Sequence, residues 1–443
     1  MAKGAARPIR GLRWWIIALV MTGTAANYLA RSALGSAAPT LTKSLHFSTQ
    51  AYSYVVAAFQ LAYTLVQPFA GWVLDALGAK LGLTIFALGW SLANMAHALA
   101  TGWPGLAAAR GFLGLFEGAV IPAGMKAVSD WFPDRERSVA TGWFNVGTSI
   151  GGMLAPALVV WCILAGSWRL AFVATGAVGL VWAVLWALWY HRPREHPRIS
   201  AEELAYIEAG QPSSEAPDAG QAAGWLSMLR TRRIWAIALP RFLADPAWQT
   251  FNFWIPLYLV SVRHMDLKQI AMFAWLPFLA ADLGSVAGGY VSPVLMRLAG
   301  VRLLMARKLT VLAGAVLMIG PACIAFAPSA YWAIGLFCIG GFAHQMLSGA
   351  LITLSADIFP GCQVATATGL AGAAAWTGGL LFSLLVGQLA GAIGYNPLFA
   401  CLAVFDLAGA AILFSLLREA DRSNLSREGD RSSVLHEGDR SRA

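Results

Sequence analysis

Long apolar runs alternate with short polar gaps along almost the whole chain. Twelve such runs stand out, at about 14–38, 51–74, 80–99, 104–128, 139–163, 169–190, 233–261, 268–294, 308–327, 330–355, 364–389 and 394–417. An α-helix needs roughly 20 residues to cross the hydrocarbon core of a bilayer, so each run is long enough to span. Many contain Gly and Pro, which membrane helices tolerate better than soluble ones. The pattern predicts an all-α membrane protein with twelve transmembrane helices in two six-helix bundles. The polar stretch 191–232 divides the runs six and six, the layout of two like halves joined by a linker. The expected organisation is an N-terminal bundle over 1–190, a cytoplasmic linker over 191–232 and a C-terminal bundle over 233–417. Within the linker, Ala201–Ala209 reads as a short amphipathic helix. After Leu417 the tail repeats short mixed-charge motifs at Glu419, Glu428 and Glu437, and 418–443 is expected to be a disordered cytoplasmic tail.

Composition supports a lipid-covered surface. Of 443 residues, 58% are hydrophobic and 12% charged, against about a quarter charged in an average soluble domain. The net charge is +9, and its placement matters more than its size. Lys3, Arg7, Arg10 and Arg13 precede the first run. Arg192, Arg194, Arg198, Arg230, Arg232 and Arg233 lie in the linker, and Arg297, Arg302, Arg307 and Lys308 near a later short loop. The intervening loops carry few charges: Lys43, Arg169, Arg263 and Lys268. By the positive-inside rule both termini and the linker face the cytoplasm. The basic balance therefore reads as topology rather than nucleic-acid binding. The five cysteines (Cys162, Cys323, Cys338, Cys362, Cys401) are scattered without metal-ligand spacing and read as small buried hydrophobes. No paired carboxylates with a His, no metal cluster and no appended domain suggest an enzyme, and no cofactor or metal is expected.

Charges inside apolar runs cost several kcal/mol and usually face a water-filled cavity or a partner. Arg31, Arg110, Glu117 and Lys126 are the conspicuous ones. Arg110 and Glu117 are seven residues apart, about two turns, and share a helix face. Gly111, Gly114 and Gly118 around them permit close helix approach. Arg110 lies seven residues past Trp103 and Arg31 eight before Pro39, so helical rise puts both roughly 10–12 Å below the same end. Two guanidiniums at one depth suit a planar anion such as a carboxylate. The competing structural reading pairs Arg110 with Glu117 and lets Arg31 snorkel. Glu117, balanced between desolvation and a nearby guanidinium, is a candidate proton-coupling site. Lys126 is expected to pair with Asp130 one turn later.

Between the second and third runs, Gly71, Asp75, Gly78 and Lys80 resemble the signature loop of the major facilitator superfamily. A tight turn needs glycine, and Asp75 can meet basic groups or a helix N-terminus, which makes these four residues candidate conformational gates. The second half echoes the loop weakly, with Gly288, Gly289 and Arg297 but no acid at the matching place.

Asn27 to Arg31 with Ala37, Ala38 and Pro39 resembles the first helix of the anion:cation symporter family within that superfamily. Arg110 through Glu117, Pro122 to Pro133, and Glu136 to Ser138 resemble its fourth helix and following loop, and Phe144 to Gly151 continue the match. Phe273 to Gly284 and Ala343 to Gln345 are similar to the hexuronate transporter branch. The resemblance covers the chain up to about Leu417. It implies proton-coupled import of a sugar acid such as glucuronate or galacturonate, by alternating access in a monomer of the bacterial inner membrane. It implies substrate contacts from Tyr28, Arg31, Tyr63, Arg110 and Thr148, and from His344, Gln345 and Trp376, with Asn252, Trp248 and Trp254 offering amide and aromatic surface. The family usually carries an acid directly before Arg31, where this chain has Ala30. A natural variant relying on Glu117 and an engineered substitution both remain open, as does weakened coupling or facilitated passage. An aldonate, aldarate or aromatic acid is the alternative cargo.

Overall fold

The computed structural model describes residues 8–47, 49–209, 225–253, 255, 258–259, 262–265, 273 and 275–418. Among these the secondary structure is helical. The main helices are α1 (Leu12–Ser44), α2 (Thr49–Ala96), α3 (Trp103–Glu117), α4 (Val120–Trp131), α5 (Arg137–Ala165), α6 (Trp168–Trp189), α7 (Ala201–Ala209), α8 (Arg232–Phe253), α9 (Leu276–Ala299), α10 (Leu303–Leu317), α11 (Ala330–Ile358), α12 (Val364–Ile393) and α13 (Tyr395–Leu416). Most of the described residues in the twelve apolar runs are helical. Among the described residues nine helical runs are long and apolar enough to cross a membrane, the longest being Tyr54–Leu99. That one covers two of the sequence runs. It is interrupted at Gly78, whose φ of 80° and ψ of 159° is a conformation essentially reserved for glycine.

The chain divides into two compact units. The first is Met1–Asp134, Trp143–Trp225 and Pro360–Gly369; the second is Arg135–Gly142, Leu226–Phe359 and Leu370–Ala443. Two short segments, 135–142 and 360–369, are each grouped with the unit opposite to their sequence neighbours. The tail 419–443 lies outside the described residues.

In the first unit, buried Ala33, Leu34, Leu41, Val55, Leu106, Val159, Trp168 and Phe172 join α1, α2, α3, α5 and α6 in one apolar cluster. Large apolar side chains also point outward: Leu61, Leu65, Leu164 and Leu188 are more than half exposed. In water such a surface would aggregate, whereas lipid accommodates it. The helices therefore pack through small residues rather than a hydrophobic driving force. Gly114 shows how closely: a Cβ there would stand 2.5 Å from the Phe59 carbonyl oxygen of α2. Gly111 was expected to do the same, but nothing lies within 4 Å of it. The run 104–128 is split into α3 and α4, with Gly118 and Ala119 keeping right-handed backbone between them.

The linker is tied back to the first unit by α7. Glu203 accepts hydrogen bonds from the backbone N–H of Leu12 (3.0 Å) and Arg13 (3.2 Å), and pairs with the Arg13 guanidinium at 3.0 Å. A carboxylate at the start of α1 satisfies amides that have no partner within the helix.

Candidate anion site and helix clasps

α1, α2 and α3 bring five of the expected site residues together in the first unit. Arg31 Nε donates to Glu117 Oε2 at 2.8 Å, and Arg31 Nη2 to Asn27 Oδ1 at 3.3 Å. The Arg31 guanidinium lies 4.3 Å from the Tyr28 ring centroid, 4.7 Å from Tyr63 and 5.3 Å from Phe59. Arg110 Nη2 donates to the Arg31 carbonyl oxygen at 3.0 Å, and its guanidinium lies 4.7 Å from the Phe59 ring. The two arginines thus sit at one level, as helical rise from either end of their runs implied. Both are held inside the unit by aromatic faces, which attract cations through the ring quadrupole.

The pairing differs from the structural alternative considered for Arg110. Glu117 bonds Arg31, across helices, rather than Arg110 on its own helix. The backbone carbonyl of Arg31 receives Arg110 while its long side chain extends along the helices to Glu117. Arg110 keeps two donors, Nε and Nη1, buried with no hydrogen-bond partner among the described residues, and Glu117 Oε1 is likewise unmatched. Arg31, Arg110 and Glu117 sum to one positive charge. Ala30 beside them is 1% exposed and adds none. A buried surplus cation with open donors is arranged to receive an anion.

Thr148 is buried on α5, its hydroxyl bonded to the Asn145 carbonyl at 2.8 Å. Its helix lies against α1 one turn on, where a Cβ at Gly151 would stand 2.8 Å from Tyr28 Cβ. Phe59 was missed in the sequence. Its position four residues before Tyr63, on the same face of α2, was the available signal, and the two rings stack at 5.5 Å.

The remaining expected contacts belong to the second unit. His344 is buried on α11 and stacks on Trp248 of α8, with ring centroids 5.9 Å apart and planes at 14°. Gln345 is buried on the next position of the same helix, and Trp376 is partly exposed on α12. The side chains of Asn252 and Trp254 lie outside the described residues.

Of the four candidate gating residues, Asp75 is the centre of a clasp. Its Oδ2 accepts from the Thr366 backbone N–H (2.7 Å) and hydroxyl (2.7 Å), and its Oδ1 from the Ala365 N–H at 3.3 Å. These are first-turn amides of α12, where a carboxylate is favoured. Lys126 Nζ lies 3.0 Å from Asp75 Oδ1 and donates to the Gly361 carbonyl at 2.6 Å. Lys126 is thus met by Asp75 as well as by Asp130, which acts on it electrostatically from one turn on and accepts from the Tyr190 hydroxyl at 3.3 Å. Gly71 allows the approach: a Cβ on it would fall 2.2 Å from the Ala365 carbonyl oxygen. Lys80 Nζ meets His191 Nε2 at 2.8 Å.

The second unit has a counterpart that the sequence did not reveal. Asp357, at the end of α11, lies 2.8 Å from Arg307 and 3.7 Å from Arg137. Arg137 Nη1 also donates to the Ala356 carbonyl at 2.6 Å, and Ser138 Oγ to the Gly289 carbonyl at 2.7 Å. The acid absent after Gly289 is supplied from a different helix.

Residues 20–306 match the profile of the Major Facilitator Superfamily. The chain belongs to this superfamily. It is a multi-pass membrane transporter rather than an enzyme. It is 53% identical over 412 residues to the hexuronate transporter of Escherichia coli (strain K12), covering 93% of this chain and 95% of that one. It is also 53% identical over 327 residues to the galacturonate transporter of Dickeya chrysanthemi, covering 74% and 94%. Among solved structures, the proton:xylose symporter XylE superposes with a TM-score of 0.70 at 14% identity, over 92% of this chain and 96% of that one. That likeness concerns the fold alone.

Proposed function

We propose that this transporter imports a hexuronate, such as galacturonate or glucuronate, across the bacterial inner membrane by proton symport. The observation that carries the reading is the surplus guanidinium of Arg110, buried beside an Arg31–Glu117 pair with two open donors. A carboxylate matches those donors in charge and accepts from either of them. Tyr28, Tyr63 and Thr148 supply hydroxyls for the sugar, and His344, Gln345 and Trp376 are proposed as the contacts from the second unit. The 53% identity to a hexuronate transporter and to a galacturonate transporter supports the cargo class.

Glu117 is the proposed proton site. An arriving carboxylate competes for Arg31, and Glu117 then either shares a cation or takes a proton. A proton on Glu117 frees Arg31 for the substrate, so binding of the two is mutually favourable. Alternating access follows as the clasps at Asp75 and Asp357 form and release in turn. Both termini are assigned to the cytoplasm by the placement of basic residues, and the transporter is taken to act as a monomer.

The test is uptake of labelled galacturonate by purified protein in liposomes, with and without an imposed inward proton gradient. Uptake that rises with the gradient, and is competed by glucuronate more strongly than by galactonate or aromatic acids, is the expected result. Preference for an aldonate or aromatic acid would replace the cargo. Equal uptake with and without the gradient would remove the coupling.

A further inference from the structure

The second unit contains a helix-borne acid and a nearby cation, Asp245 and Arg241, that the anion site of the first unit does not use. Arg241, Asp245 and Gln249 are spaced four apart on α8 and share one face. Gln249 Nε2 donates to Asp245 Oδ2 at 3.2 Å. Arg241 acts electrostatically on Asp245 and on His344 of α11. On α12, opposite Asp245, stands Gly379. A Cβ there would lie 2.4 Å from Asp245 Oδ2 and 2.5 Å from Gln249 Cγ, so the absence of a side chain makes the notch that holds the carboxylate and its amide. Asp245 is partly exposed.

α8 packs against α11, α12 and α13. From α11, His344 faces the pair through its stack on Trp248. α12 carries no ionisable side chain. α13 carries Asp406, which is 2% exposed and has neither carboxylate oxygen hydrogen-bonded among the described residues. On α8 itself Arg232 and Arg233 are at the far end, where Arg232 donates to the Ser415 carbonyl. Arg241 is therefore the cation placed to answer Asp245.

The charge count gives this pair a role. Arg31, Arg110 and Glu117 sum to +1, so one monocarboxylate neutralises them, and a proton on Glu117 serves there to free Arg31. Arg241 and Asp245 sum to zero. A proton taken by Asp245 turns its carboxylate into a hydroxyl donor, which the Gln249 amide oxygen can accept, and releases the Arg241 guanidinium. The proton is received from water on one side and returned to water on the other, with no other bond made or broken.

We propose that Asp245 is a proton-carrying carboxylate of this transporter, with Arg241 its counter-ion and Gln249 its hydrogen-bond partner. The proposal rests on the hexuronate reading above. In liposomes, Asp245→Asn is expected to keep galacturonate counterflow at equal pH within about threefold of the parent. It is expected to lose roughly tenfold of gradient-driven accumulation. Asp245→Glu should recover part of the gradient dependence, and Asp406→Asn should accumulate like the parent. Parent-like accumulation by Asp245→Asn overturns the proposal. Equal loss of counterflow and accumulation also overturns it, and makes Asp245 a substrate contact. A parent that exchanges no galacturonate at all sinks the hexuronate reading first, and this inference with it.

Discussion

The two charge clusters within the two units are built on opposite balances. In the first, two guanidiniums face one carboxylate, with Tyr28, Tyr63 and Phe59 around Arg31 and Phe59 beside Arg110. In the second, Arg241 and Asp245 cancel, and an amide and a glycine notch hold the acid in place. A surplus attracts and holds an anion. A balanced pair does not, until a proton unbalances it. On the proposals above, the surplus serves binding, and coupling is shared between Glu117 and the balanced pair.

The comparison can be broken most directly by exchanging the fork for a point charge. Arg110→Lys is expected to cut galacturonate uptake roughly 100-fold, about 3 kcal/mol, because ammonium cannot present two coplanar donors. Arg241→Lys should cost less than about tenfold, since its partner is a single carboxylate at a partly exposed position. Similar losses in initial uptake rates would erase the asymmetry. Next in size, Glu117→Gln should retain counterflow while losing about tenfold of gradient-driven accumulation. Retained accumulation there would move coupling wholly away from the first unit.

Ala30→Asp sharpens the comparison by bringing the first cluster to zero. Weaker binding at neutral pH, by about tenfold, and steeper dependence on the proton gradient are expected. Thermal shift with galacturonate reads the first effect and liposome uptake the second. Unchanged gradient dependence would refute the charge-count argument. Gly78→Ala should lower thermal stability by roughly 1–2 kcal/mol, since its backbone conformation strains any other residue.

The smallest effect concerns pH. Burial, then the neighbouring His191, Arg198 and Lys80, push the His196 imidazole below its usual 6.5, with a backbone hydrogen bond at Trp189 opposing them. The folded state therefore takes up this proton later than the unfolded chain. Stability present above pH 6.5 is lost on acidification below it. Melting temperatures at pH 7.5 and 5.5 should differ by slightly less in His196→Gln than in the parent.

The helical layout was legible because a bilayer imposes one period and one length on every span. Arg31, Arg110 and Glu117 were legible because charge in an apolar run is rarely idle. Who pairs with whom was not. Spacing within α3 offered Glu117 to Arg110, and spacing within α4 offered Asp130 to Lys126. The reach of the Arg31 side chain to Glu117 decided the first, and at Lys126 Asp75 joins Asp130. Asp357 was hidden for the same reason, since Arg307 and Arg137 are far from it in sequence. Asp245 sits in a proline-bearing segment of modest hydropathy, where an acid attracts less notice.

Asp75 grips two amides, a hydroxyl and an ammonium, all of them shielded from solvent. Dissolved salt screens exposed charges over about 8–10 Å but reaches buried ones far less. Changes in ionic strength that loosen the surface Arg194–Glu208 pair will leave this contact untouched. The hold that Asp75 keeps on α12 is thus set by the protein's own shape and not by the composition of the surrounding fluid.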